Sequence, residues 1–270
     1  MYTLVFVLMF LLGCIIGSFL NVVIYRFGSG RSVAKGRSMC LSCGTTLNWY
    51  ELIPVVSFLF QKGRCRTCAS KISHQYPLVE FGTGLIFALI AFHFLPVLMY
   101  SPVSYVILLS IFSFIFAILM VITVYDIRHK IIPDKLVYTY ALVSFLTIFV
   151  NYLPGGPLFI LPSFMMIISG PLFALPFAVL WLVSKGEWMG LGDAKLVLGI
   201  GWMLGPVVGV AAVTLAFWLG CIGSLGIMLF THKKMGMKTQ VPFAPFLILG
   251  ALIAFLGNID LFTLANLFHF

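Results

Sequence analysis

Charge is what this chain lacks. Only 9% of its 270 residues are Asp, Glu, Lys or Arg, and only seven are acidic. A soluble domain of this length needs a largely polar surface, and this composition cannot supply one. With 62% hydrophobic residues, the chain reads as a polytopic membrane protein. Long polar stretches are scarce too: the one sizeable polar region is 26–77, too small for much of a core of its own. No nucleotide-binding fingerprint, low-complexity segment or internal repeat is present. The net charge of +9 does not point to nucleic acid, because the basic residues are grouped by loop.

What is there is a series of apolar runs. They lie near 2–25, 78–98, 103–125, 136–153, 160–184, 194–204, 207–230 and 244–258. About 20 such residues cross a bilayer. The reading is an all-α protein of about eight transmembrane helices. The sixth run is short and is parted from the seventh by Gly205-Pro206, which leaves seven or six as alternatives. The run Tyr2 to Tyr25 is too long for a signal core, and its basic residues follow it, so it reads as a retained first span.

All sixteen Lys and Arg fall on one side under eight spans. They occupy 26–77, 126–135, 185–195 and 231–243. The positive-inside rule makes that side cytoplasmic. The chain then divides into a first helix at 1–25, a cytoplasmic loop domain at 26–77 and a membrane core at 78–270. The excess positive charge suits anionic lipid.

Within the loop, Cys40-Leu41-Ser42-Cys43 and Cys65-Arg66-Thr67-Cys68 are two C-x-x-C pairs with 21 residues between them. Four thiolates from two tight turns make a tetrahedral, structural zinc site with no open position for catalysis. Disulfides or a redox pair are the alternatives, and a cytoplasmic setting argues against stable disulfides. Cys14 and Cys221 lie in apolar runs and read as packing residues.

Carboxylates at membrane depth are costly and usually have a task. Asp193, in Gly190-Leu191-Gly192-Asp193, precedes one apolar run. Asp126 ends another. Both fall at cytoplasmic span ends, at similar depth. Two carboxylates that share one proton can activate a water and polarise a scissile carbonyl. Gly190 and Gly192 would let the backbone bend and a substrate strand approach. The alternative is capping or pairing with a nearby Lys, with Asp193 as an N-cap. Asp134 competes with Asp126 but precedes a span, where it reads as a cap. Glu80 begins the second span, as a cap or a cofactor contact. Glu51 flanks the cysteine loop, and Glu187 reads as solvated.

Taken together, these motifs resemble the bacterial type IV prepilin peptidase family. The stretches that carry the likeness run in order. They are 17–26, the paired cysteine loop, Ile72 to Glu80, Tyr125-Asp126 with Ile132-Pro133-Asp134, Met189 to Leu196, and Val241 to Phe246. The resemblance implies an inner-membrane enzyme facing the cytoplasm. Such an enzyme cleaves the basic leader of prepilins or pseudopilins after a glycine. It then methylates the new N-terminal amine with S-adenosylmethionine. The family aspartates carry over to Asp126 and Asp193, and its metal cysteines to Cys40, Cys43, Cys65 and Cys68. Trp188 departs from the family pattern, which often has glycine there. Glu51, Glu80, Asp134 and Glu187 are the acidic groups available to a basic leader. A presenilin-like intramembrane protease and a proton-coupled transporter are the competing readings; both leave the cysteine loop unexplained.

Overall fold

The computed structural model describes residues 2–30, 32–152, 155–231 and 242–266. Arg31, Lys233, Lys234, Lys238 and Val241 therefore lie outside the described residues. No strand occurs among the described residues, in keeping with the all-α reading; only isolated bridges do. The helices are α1 (Tyr2–Arg26), α2 (Val56–Phe60), α3 (Gln75–His93), α4 (Leu95–Leu98), α5 (Pro102–His129), α6 (Asp134–Thr147), α7 (Phe164–Ser184), α8 (Leu191–Thr231), α9 (Ala244–Gly257) and α10 (Leu261–Asn266).

Two compact units divide the chain, Met1–Val121 and Ile122–Phe270. In the first, α1 packs on α3 through small residues. A Cβ on Gly17 would stand 2.8 Å from Glu80 Cα, so any side chain there would force the helices apart. Small residues at such positions are how helices associate where lipid removes the hydrophobic drive. Between α1 and α3 lies the cysteine loop.

In the second unit, α7 and α8 pack together, as do α8 and α9. The sixth and seventh apolar runs form one element, α8, broken at Gly205, which has φ 70° and ψ −177°. Only glycine adopts that conformation readily, and Pro206 follows it without a backbone donor. The break folds the chain back on itself. Before it, Gly201 O accepts from Ser169 Oγ at 2.8 Å; at it, Gly205 faces Met166; beyond it, Phe217 meets Phe177 at 6.0 Å. The two legs thus run in opposite directions along α7.

The expected eight crossings are not reproduced as eight long helices. By length and composition, five helices among the described residues are long and apolar enough to span: α1, α3, α5, α7 and α8, the last counted over both of its legs. The runs at 136–153 and 244–258 form α6 and α9, each only 14 residues. The fourth run is cut short because its C-terminal part leaves the helix at Ile148 and forms a bridge between Val150 and Phe159.

Candidate functional site

The second unit brings the two sequence-predicted aspartates together. Asp126 lies in the last turn of α5 and Asp193 in the first turn of α8, and the charge of Asp126 acts on Asp193. Asp126 is only 5% exposed. The backbone N–H of Ala244, at the start of α9, is directed at its carboxylate. Its Oδ2 has no hydrogen-bond partner among the described residues. A buried carboxylate oxygen left open in this way is unusual and points to a role beyond packing.

Asp193 is not an N-cap, as the alternative reading had it. It is the third residue of α8, and its carboxylate reaches back to the N–H of Gly190. That is one half of a capping box, and it holds the group where the helix dipole favours negative charge. Gly190 and Gly192 have ordinary backbone angles, since neither has positive φ. The need for glycine at 192 is space: a Cβ there would stand 2.8 Å from Ile132 Cβ. The Ile132-Pro133-Asp134 turn therefore packs directly under the start of α8.

Asp134 is corrected on two counts. It makes no side-chain cap; Pro133 occupies the cap position of α6. Instead Asp134 Oδ1 pairs with Lys195 Nζ at 2.6 Å, and that ammonium also lies 4.7 Å from the centre of the Tyr138 ring. Glu187 is exposed, as expected. Trp188, the departure from the family pattern, is 73% exposed in the turn between α7 and α8.

In the first unit, the four loop cysteines form one cluster. Their Sγ atoms all lie within 4.8 Å of one another, and Cys40 and Cys68 are 3.9 Å apart. Four sulfurs at about 2.3 Å from one tetrahedral zinc would be spaced about 3.8 Å. The two turns are built alike. Cys40 N–H donates to Thr45 O and Gly44 N–H to Cys40 O, each at 2.9 Å. Cys65 N–H donates to Ser70 O and Ala69 N–H to Cys65 O, again at 2.9 Å. Gly44 and Ala69 both have positive φ, which closes each turn. All six cysteines are free. The N–H groups of Cys43 and then Ser42 hold the Cys40 thiol down at about 6, and the Ser70 hydroxyl lowers Cys68. Cys40 and Cys68 are thus biased towards the thiolate, the ligand form, while Cys65 is shifted upward; the spacing of the four sulfurs is what fits a metal ion.

Glu80 is not a cap either. It sits inside α3, whose cap position is His74, and it is 7% exposed. Val55 N–H donates to its Oε2 at 2.7 Å. Val55 has φ 61° and ψ −50°, a strained conformation for a β-branched residue. Glu51 accepts from the backbone and side chain of Asn48. Both glutamates line a cavity of about 720 Å³ bounded by α1, the cysteine loop and the start of α3.

Sequence reasoning gave no role to Ile132, Ala244 or Val55. Pro133 and the closing Pro242-Phe243-Ala244-Pro245 stretch marked the places, but neither marks a contact.

The comparisons with known proteins divide the chain much as its motifs do. Residues 11–94 match the Bacterial Peptidase A24 N-terminal domain, and residues 113–229 match the Type IV leader peptidase family. A prepilin leader peptidase/N-methyltransferase of Bacillus subtilis is 31% identical over 252 residues, 92% of this chain and 93% of that protein. A type 4 prepilin-like proteins leader peptide-processing enzyme of Escherichia coli is 31% identical, over 89% of each chain. A prepilin leader peptidase/N-methyltransferase of Vibrio cholerae is 29% identical, over 92% of this chain and 95% of its own. No solved structure matches. Likeness of this extent, spanning the aspartate-bearing and cysteine-bearing segments alike, places the chain in the type IV leader peptidase family.

Proposed function

We propose that this protein is a membrane aspartyl endopeptidase that cleaves the basic leader of type IV prepilins or pseudopilins after a glycine. It then methylates the new N-terminal amine. The observation that carries the reading is the meeting of Asp126 and Asp193, from helices far apart in sequence, with one oxygen of Asp126 unpartnered. Two carboxylates that act on each other can share one proton between them. The ionised one takes a proton from water as its oxygen attacks the scissile carbonyl. The protonated one donates to the carbonyl oxygen. Collapse of the tetrahedral adduct breaks the C–N bond, and the departing amine takes up a proton. Ala244 and Gly190 orient the two carboxylates through their N–H groups.

S-adenosylmethionine, when bound, would supply an electrophilic methyl group to the freed amine, and Glu51 and Glu80 are the carboxylates available to its positive charge. Cys40, Cys43, Cys65 and Cys68 would hold the structural zinc, which ties the two turns of the 26–77 loop together. We assign 1–25 to a first transmembrane helix, 26–77 to the zinc-binding loop and 78–270 to the peptidase core. The grouped basic residues support a bacterial inner-membrane setting with the aspartates facing the cytoplasm and anionic lipid around them. Nucleic acid has no part in this reading.

The test is incubation of detergent-solubilised protein with a prepilin and labelled S-adenosylmethionine. Cleavage and methyl incorporation are expected from the native chain, and cleavage is absent from Asp193→Asn. Intact prepilin after incubation with the native chain would refute the peptidase reading.

A further inference from the structure

The loop between α1 and α3 exposes apolar side chains that no spanning helix accounts for. In α2, Leu59 is 67% and Phe60 85% exposed, and Val56 is exposed as well. Residues three and four apart share a helix face, so the three form one outward surface. Trp49, Leu52 and Ile53, just ahead of α2, are exposed too. A loop surrounded only by water would not leave so much apolar surface uncovered. We propose that α2 is an interfacial anchor. It lies in the lipid leaflet's surface beside the start of α3, with Val56, Leu59 and Phe60 against acyl chains and Lys62 and Arg64 at anionic headgroups. This rests on the membrane setting of the reading above.

One hydrogen bond sets the depth of α2. Val55, the residue ahead of it, donates its N–H to Glu80 Oε2 at 2.7 Å. Glu80 is the sixth residue of α3, about 7.5 Å along the axis from Gln75. The start of α2 is therefore beside the second turn of a helix apolar enough to span, not out beyond its end. Val55 holds φ 61° and ψ −50° in making this bond, a strained backbone for a β-branched residue. Phe58, on the opposite face of α2 from Val56, meets the His74 ring at 5.6 Å and docks α2 against the start of α3. With that inner face occupied, Val56, Leu59 and Phe60 look outward near the level where α3 exposes its own Leu78 and Phe81. Apolar surface at the end of a spanning helix meets lipid.

Charge selects the headgroup. Lys62, Arg64 and Arg66 follow Phe60 closely, all are exposed, and none is in an ion pair among the described residues. Arg66 lies 5.3 Å over the Tyr50 ring, which leaves Lys62 and Arg64 to the lipid. Within residues 49–66 Glu51 is the only acidic side chain. Bases bordering an apolar face, with Trp and Tyr close by, are the make-up of elements that lie on anionic bilayers. A prepilin with its basic leader would be repelled by the same bases, and so would a second copy of this surface.

The experiment puts p-benzoylphenylalanine in place of Phe60 in the full chain. The protein is held in nanodiscs of equal parts phosphatidylcholine and phosphatidylglycerol with a prepilin added, and photoadducts are identified by mass spectrometry. The same probe in place of Leu12, exposed midway along α1, reports the spanning reading independently. Leader cleavage and zinc content are the controls for folding. Acyl-chain adducts are expected from both positions. In phosphatidylcholine alone the yield from position 60 should fall about fivefold or more, the weight of a base near the surface. Lys62→Gln with Arg64→Gln should produce the same fall in the mixed lipid. An unchanged yield in either case overturns the headgroup assignment. Adducts to the prepilin or to a second copy of the chain overturn the proposal, as does an absence of lipid adducts at position 60 while position 12 gives them. Absence at both positions overturns the membrane setting, and the proposal with it.

Discussion

Ile132 Cβ lies 2.8 Å from the point where a Cβ on Gly192 would stand. The turn after α5 and the start of α8 are therefore in contact with no room to spare, with Gly192 next to Asp193 in sequence and Ile132 six residues past Asp126. Gly192→Ala should push the two apart. Overpacking of this kind costs about 1–3 kcal/mol, so a loss of about tenfold to a hundredfold in kcat/KM is expected. Adding Ile132→Ala should recover much of it. Kinetics of the two single variants and the double variant measure the coupling, and simple additivity would sink the explanation.

Asp126→Asn and Asp193→Asn should each lower kcat for leader cleavage by about a thousandfold or more, and the double variant should be no worse than either. Groups that act as one unit are grossly non-additive in this way. Cleavage of a purified prepilin measures it. A variant retaining a tenth of native activity would remove its residue from the reaction.

The cysteine loop should respond to acid. The Cys40 thiol titrates at about 6 in the fold, against an ordinary value of 9.0. Its stabilising contribution to the folded loop is therefore complete above pH 9 and is lost as pH falls through 6. In metal-stripped protein, alkylation of Cys40, followed by mass spectrometry, should rise with pH around a midpoint near 6. A midpoint near 9 would contradict the hydrogen bonds from Cys43 and Ser42. With the metal in place the thiol should be shielded, and one zinc per chain should be found. Cys43→Ser should lower that zinc content.

The Asp134–Lys195 pair should matter little to chemistry. Asp134 is 66% exposed in its side chain, and exposed pairs contribute about 1 kcal/mol or less. Asp134→Asn should retain cleavage within about fivefold, whereas any direct catalytic part would cost far more. A steady-state assay with a lysine-bearing leader distinguishes the two, and a KM effect alone would mark Asp134 as a leader contact.

The parts legible in the sequence were those set by local pattern. Apolar runs gave the helices, and the spacing of Cys40, Cys43, Cys65 and Cys68 gave the cluster. Gly205-Pro206 marked the break that turns α8 back along α7. What stayed hidden depends on distant residues. Lys195 lies 61 positions from Asp134, so their pairing could not be read from either motif. Glu80 looked like a helix start because apolar residues follow it; the helix begins earlier, at Gln75, and buries it. Gly192 looked like a hinge, yet its φ is ordinary and its constraint comes from Ile132. The shortness of α6 was hidden because hydropathy continues past the helix end into 148–150.

That shortness has a consequence for the surrounding bilayer. Fourteen helical residues rise only about 21 Å, against a hydrocarbon core of about 30 Å. A helix of that length crosses only a bilayer that thins around it or admits solvent at the helix ends. Hydrolysis consumes a water molecule, and a pair of acids set in apolar surroundings needs a route for it. Were α6 and α9 to cross a bilayer, the mismatch would thin it beside the aspartates and bring water to the reaction centre.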